Sequence, residues 1–341
     1  MATPSPTARF KAAIQASQGT AKTTGFICGM LTRSSLAPRF DIADKGAEHG
    51  CGGTDRATVH RSPSVRSSYI AAGSARGYLY PDLVGMLLTG AGLTAVTTGA
   101  GADKTHTFKL APRTAQKWLT ILESMGGNEL RGTDVKVDQL TFEATPDGVT
   151  FDASLKGLKI DESVGTETSS NETITEMLPS LGSLTMYYDP AGTNHEEINT
   201  ATDTLTKASI QIANPLNDDK GIWDFRRADL SQRGIDIIGR VEGVEIDWET
   251  YERIVNGADN GTDPSANTAI CAVTYKWQSA TNIPTAAVPY SLEFALPRCE
   301  VTLDEFAADG DNLVRWNYNW RMVDNTTDPI VVTLVNGVTA Y

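Results

Sequence analysis

Residues 135–151, VKVDQLTFEATPDGVTF, set two runs of alternating apolar residues on either side of a Pro146-Asp147-Gly148 turn. Alternation with a period of two sends successive side chains to opposite faces, and this is the pattern of a half-buried β-hairpin. Near the other end of the chain, residues 301–316, VTLDEFAADGDNLVRW, have the same build. Val135-x-Val137-Asp138-Gln139-Leu140 answers to Val301-x-Leu303-Asp304-Glu305-Phe306, and each run is followed by an Asp-Gly turn. A chain carrying one hairpin twice is constrained to a β architecture built twice.

The order of the surrounding segments agrees. In the first half a strand at GFICGML (25–31) precedes a long polar segment, 43–68, then strand material at YIAAG and GYLY. PDLVGMLLTGAG (81–92) follows as a helix, with Pro81 in its first turn, Asp82 near its N-terminus and glycine at its end. HTFKL, QKWLTILES and the hairpin to Ile160 complete that half. The second half repeats the order with LTKASIQIAN, the arginine-bearing DFRRADLSQRG, IDIIGRVEGVEI, a short helix at DWETYERIVNGA, then AICAVTYKWQ, YSLEFAL, the second hairpin and PIVVTLVNG. Tandem duplication explains this order. The organisation read from the chain is an N-terminal arm over 1–24, mobile or docked elsewhere, and a first domain over 25–160. An acidic, Ser/Thr-rich linker over 161–180 and a second domain over 181–341 follow. The expected fold class is mainly β (α+β), two β-sandwich or barrel domains, each with a flanking helix and a long interaction loop.

The length of 341 residues is comfortable for two domains with a modest core each. Lys and Arg number 29 against 42 Asp and Glu, a formal net charge of −13. Such a surface does not bind a nucleic-acid backbone, whose affinity comes from cations; it lets a polyanion pass without sticking. Four scattered cysteines without a paired spacing read as cytosolic thiols. Residues 1–15 lack the apolar core of a signal peptide, and 83–96 is too short and too rich in Gly and Thr to span a bilayer. Synthesis and folding in a cytoplasm are expected, with no membrane partner.

No motif carries catalysis. Glu48, His49, Cys51, Asp55 and His60 crowd one window, but their spacing matches no zinc pattern and the segment reads as a polar loop. GAGADKTHTF (99–108) has Asp103 where a phosphate-binding loop needs glycine before its lysine. The stripe of Trp316, Tyr318 and Trp320 suits a stacking platform for single-stranded nucleic acid or a sheet's inner face, and the acidic chain favours the core. No enzyme activity and no cofactor are expected. Arginines form basic islands in the long polar segments of both halves: Arg56, Arg61, Arg66 and Arg76, then Arg226, Arg227, Arg233 and Arg240. They are candidates for contacts with acidic surfaces of neighbouring copies, because Arg suits interface ion pairs better than Lys.

With YPDLVGMLLTGAGL, HTFKLA, the first hairpin, LTKASIQIANPL, ALPRCEVTLDEF and DPIVVTLVNG in this order, the chain resembles the tail tube (major tail) proteins of long-tailed, non-contractile bacteriophages from about 25 to 337. The resemblance implies tail-tube-type domains whose inner strands close a barrel around a lumen, in rings stacked into a tube. That tube encloses a tape-measure protein and later conducts double-stranded DNA without specific binding; tail terminator and tail-tip proteins are further partners. The implied location is the virion tail, assembled in the host cytoplasm. Two tube domains per chain imply a ring of three chains rather than a hexamer. Acidic residues of both hairpins, Asp138, Glu143, Asp152, Asp304 and Glu305, are then candidates for a negative lumen. The alternative is a carbohydrate-binding or hydrolytic β-sandwich, which would need a cleft with convergent carboxylates.

Overall fold

The computed structural model describes residues 9–29, 31–43, 65–125, 128–162, 167–171, 173–187, 195–197, 206–217, 229–244, 252, 254–256, 262–265, 268–304, 307–308, 314–323 and 328–341. The first half runs β1 (Arg9–Ile14), β2 (Phe26–Gly29), β3 (Leu31–Ala43), β4 (Val65–Tyr78), α1 (Pro81–Gly90), β5 (Leu93–Thr98), β6 (Lys104–Leu110), β7 (Leu119–Met125), β8 (Asn128–Thr145) and β9 (Gly148–Glu162). The chain goes on through β10 (Ser169–Asn171), β11 (Met177–Tyr187), β12 (His195–Glu197), β13 (Lys207–Ala213), β14 (Leu216–Asn217), β15 (Ser231–Gln232) and β16 (Asp236–Val244). It ends with β17 (Ala269–Asn282), β18 (Pro289–Leu303), β19 (Ala307–Ala308), β20 (Val314–Met322) and β21 (Val331–Asn336). The fold is mainly β, and the Val135–Phe151 hairpin is the turn between β8 and β9.

Most of these strands belong to one large, folded-over sheet. One stretch of it runs β3-β4-β9-β8-β13-β16-β20-β18 in antiparallel order. Its first four strands and its last four have the same pairing order, and the join between them is β8 against β13. The registers correspond residue for residue. A core-facing row through Leu36, Gly73, Leu155 and Val137 has its counterpart in Ala208, Val241, Tyr318 and Leu303. The flanking strands correspond too. β7 covers the first half of β8 as far as Val135, with β1 beyond it. β17 covers β18 as far as Val301, with β11 beyond it.

The cores are not separate. One cluster of buried apolar side chains runs from Phe10 and Leu36 through Phe142 to Leu292 and Trp320. The reason lies in the join: pairing β8 with β13 makes the two inner faces continuous, so Phe142 packs its ring against Trp277 and Phe294 of the other half, with centroids 6.1 and 5.2 Å away. The N-terminal arm is docked where the structure describes it. β1 lies between β2 and β7 and buries Phe10, Ala12 and Ala13. The segment expected as a linker is also tied down in part, because β10 pairs parallel with β2 and the Thr173 N–H donates to Asp82 Oδ2 at 2.8 Å. Its composition is mostly polar, but hydrogen bonding to strand partners holds it and Met177 is buried in the core.

α1 forms as its sequence dictates, with Pro81 and Asp82 in the first turn, yet all ten of its residues are buried. A surface helix buries one stripe; here the C-terminal Tyr341 covers a further side. Its ring lies where a Cβ on Gly85 would stand, and its hydroxyl donates to the Asp82 carbonyl at 2.7 Å. In the second half Glu252, Ile254 and Val255 are helical, and the Asn256 N–H donates to the Glu252 carbonyl. No helix among the described residues is long and apolar enough to cross a membrane.

Beside Tyr341 sits a buried polar knot. His106 Nε2–H donates to Asn336 Oδ1 at 2.9 Å, and His106 Nδ1 accepts from Thr97 Oγ1 at 2.8 Å. Asn336 Nδ2 donates to the Pro81 carbonyl and to Tyr341 Oη. These bonds use the neutral imidazole, and burial, the largest cause, lowers the His106 pKa. An unfolded His106 therefore binds its proton at a pH where the folded one does not. Its contribution to stability is full above the unfolded value, about 6.5, and is lost as pH falls from there through the lowered folded value. The thermal midpoint of the parent is expected to drop more between pH 7.5 and 5.5 than that of His106→Gln. Equal drops in the two proteins would refute this role.

Candidate functional site

Alternation places the core residues of the eight-strand stretch on one side and a polar face on the other. One row across that face reads Tyr78, Thr150, Glu143, Ser209, Arg240, Asn319 and Thr302; the next reads Arg76, Asp152, Thr141, Gln211, Ile238, Arg321 and Glu300. Two adjoining depressions mark this face and share Thr141 and Gln211. Four of its cations are paired with acidic side chains. Lys156 meets Asp138 at 3.0 Å, Lys207 meets Glu143 at 2.9 Å, and Arg321 meets Asp236 at 3.0 Å. Arg240 bridges Glu242 at 3.0 Å and Asp304 at 3.3 Å.

Four of the five acidic candidates thus come together. Glu143 and Asp152 stand on the polar face, while Asp138 and Asp304 pair with its cations; Glu305 lies outside the described residues. The described face is not simply negative. Basic side chains alternate with acidic ones in the same rows, so the described face is mixed in sign and largely self-neutralised. The sequence could not show this, because the partners are distant in the chain: Lys207 and Glu143 meet only through the β8–β13 pairing.

The arginine candidates do not share one environment. Arg76 and Arg240 lie within β4 and β16, not in loops, and both point to the polar face. Arg66, near the start of β4, covers the Phe40 ring at 4.1 Å. Arg233 follows β15 and donates from its guanidinium to Asn217 Oδ1 at 3.1 Å, so it binds its own chain. Arg56, Arg61, Arg226 and Arg227 lie outside the described residues, as do the acidic, His and Cys residues of the metal window considered above. Among the described residues, no group of three or more His, Cys, Asp and Glu side chains is placed to hold a metal. Tyr318 and Trp320 are buried, as core packing requires.

The join itself is built from more than strand pairing. Asp138 sits where the β8–β9 register shifts, between Val137 and Gln139. Its Oδ1 accepts the Leu216 N–H at 3.1 Å, its carbonyl accepts the Asn214 N–H at 2.8 Å, and Asn214 Nδ2 donates to the Val137 carbonyl at 3.0 Å. This grips the end of β13. Next to it the buried Lys136 crosses the Trp118 ring at 4.0 Å and donates to the Leu230 carbonyl at 2.8 Å. Burial, the largest cause, lowers its pKa. A lysine alternating with Val135 and Val137 reads as solvent-facing; the segment around β14 and β15 covers it instead.

The two ends of the eight-strand stretch differ. Among the described residues, β3 pairs with β4 alone, which leaves its other edge open. It is held from behind by Glu123 of β7, whose Oε1 accepts the Ser34 hydroxyl at 2.8 Å. Burial raises the Glu123 pKa, with the Ser34 bond opposing it. At the far end, β17 leaves the edge of β18 beyond Val301. No protein-family model and no curated protein matches this chain.

Proposed function

We propose that this protein is a structural subunit of a phage-type tail tube, two tandem tube domains in one chain, assembling into closed rings that stack around a channel. The observation that supports this most is the repeated pairing order within one continuous sheet. Each half offers a strand at one end and receives a strand at the other, and β8 against β13 already performs that join once inside the chain. A head-to-tail contact of this kind continues until it closes into a ring or runs on as a filament. Closure would also cover the side of β3 that has no strand partner among the described residues. The polar sheet face then lines the channel. Its ion pairs engage Lys156, Lys207, Arg240 and Arg321, which lowers the cation density that the phosphates of passing DNA would meet.

In this reading the partners are further copies of the chain, a tape-measure protein inside the tube, and terminator and tip proteins at its ends; the location is the virion tail. There is no catalytic role. Electron microscopy of the purified protein at high concentration is the test. Rings of three chains with six similar lobes, stacked into tubes, are expected. Six chains per ring would retain the tube but make the second half an outer domain. Monomers at every concentration and salt would overturn the proposal.

A further inference from the structure

Two of the cysteines, scattered in the sequence, are brought face to face by the fold. Cys271 of β17 stands directly opposite Cys299 of β18, in an antiparallel register that continues with Ile270 opposite Glu300 and Ala269 opposite Val301. Both side chains are fully buried on the core-facing side, Cys271 in alternation with Val273 and Cys299 with Val301, and both are free thiols. We propose that this pair is an oxidation site, at which a peroxide links Cys271 to Cys299 in a cross-strand disulfide that staples β17 to β18. This inference stands apart from the ring reading above.

The register supplies the geometry. Directly opposed residues of an antiparallel pair have Cα atoms about 4.5–5.5 Å apart, inside the range of about 4.4–6.8 Å that a disulfide spans. Because both side chains leave the sheet on the same face, their sulfurs meet without any change of register. The position also gives an oxidant its way in. Beyond Cys271 only the pairs at Ile270 and Ala269 hold the end of β17 on β18, and β11 pairs no further than Ala272 among the described residues. On the other side of Cys271 the register shifts before Val273, and Pro297 in the longer strand there has no N–H to give to the ladder. A short ladder segment between a strand end and an irregularity opens at a lower cost than the core. Cys299 is held meanwhile by β20, opposite Met322.

In the closed state both groups stay protonated. Burial pushes the Cys271 pKa up to about 12, while burial and then the neighbouring Cys271 raise that of Cys299. The thiolate is the nucleophile, so reaction waits for the end of β17 to open and wet Cys271. Its thiolate then attacks one oxygen of the peroxide; the O–O bond breaks, Cys271 becomes a sulfenic acid, and the departing hydroxide takes a proton to become water. Cys299 Sγ attacks the sulfenic sulfur as the ladder recloses. The S–S bond forms, the S–O bond breaks, and the hydroxyl leaves with the Cys299 proton as a second water. Two thiols are oxidised and one hydrogen peroxide is reduced to two waters. A reducing cytoplasm keeps the pair as thiols, and an oxidising medium closes it.

The test treats the full-length parent and its Cys28→Ser/Cys51→Ser variant with hydrogen peroxide in native buffer. Intact mass of the variant without reductant is expected to show the loss of two hydrogens, and peptide mapping of both proteins should join Cys271 to Cys299. The linked form should unfold at a urea midpoint higher than the reduced form by on the order of 1 M, and a thiol reductant should reverse the shift. Adding Cys271→Ala to the variant should abolish the mass change and the shift together. The parent guards against a folding defect in the variant. Both thiols recovered unlinked from both proteins would overturn the proposal. So would a link from either residue to Cys28 or Cys51 in the parent, or a linked form with a lower midpoint than the reduced one.

Discussion

Replacing Phe142 by alanine is expected to cost about 3–5 kcal/mol and to do so across the whole chain. The ring is fully buried in β8, with Ile210 of β13 opposite it on one side and Phe151 of β9 on the other. It also touches Trp277 and Phe294, so the truncation opens a void shared by both halves. Buried aromatics have few neighbours able to collapse into so large a space. Because the core is continuous, urea unfolding followed by circular dichroism and by tryptophan fluorescence should give one coincident transition, moved to lower denaturant with its slope retained. Two separated transitions in the parent, with only one of them moved in the variant, would show that the halves unfold independently and that Phe142 does not couple them.

The second large effect is expected at Trp320. Its indole fills a space that the neighbouring Gly239 leaves open, since a Cβ there would collide with the ring. The indole N–H donates to Tyr275 Oη at 2.7 Å inside the core, and the two rings lie 5.7 Å apart. Burial pushes the Tyr275 phenol pKa up, so the hydroxyl stays neutral and depends on hydrogen bonds inside the core. Trp320→Ala should lose about 3–5 kcal/mol through the cavity, and a further ~1–3 kcal/mol through the stranded hydroxyl. Trp320→Phe refills most of the space but not the donor, so its loss should approach the smaller figure alone. The difference between the two variants in urea separates packing from hydrogen bonding. Equal losses would mean that the Tyr275 contact carries nothing. A domain is typically stable by only about 5–15 kcal/mol, so the alanine variant is also expected to be largely unfolded at 37 °C.

The hairpins were legible because alternation over 135–151 and 301–316 leaves little choice of conformation, and α1 was legible from Pro81, Asp82 and the spacing of its leucines. The doubled order of segments was legible for the same local reason: each copy keeps its own period and turn residues. The burial of all of α1 was not, because the side that Tyr341 covers depends on a residue 259 positions from Asp82 folding back. Three arginines grouped with the long polar segments, Arg66, Arg76 and Arg240, are in strands, where β4 pairs with β3 and β9 and β16 pairs with β20. Local periodicity thus determined the hairpins and α1, while β1 and β10, in segments read as an arm and a linker, escaped it. Tertiary structure alone decided that the repeats share one core, that the acidic side chains meet basic partners on one face, and which strand edge stays open. The shared core and the Lys207–Glu143 pair depend on the pairing of β8 with β13, where a register between segments far apart in the chain is chosen by the burial of Ile210 and Ile212 against Phe142 and Leu140.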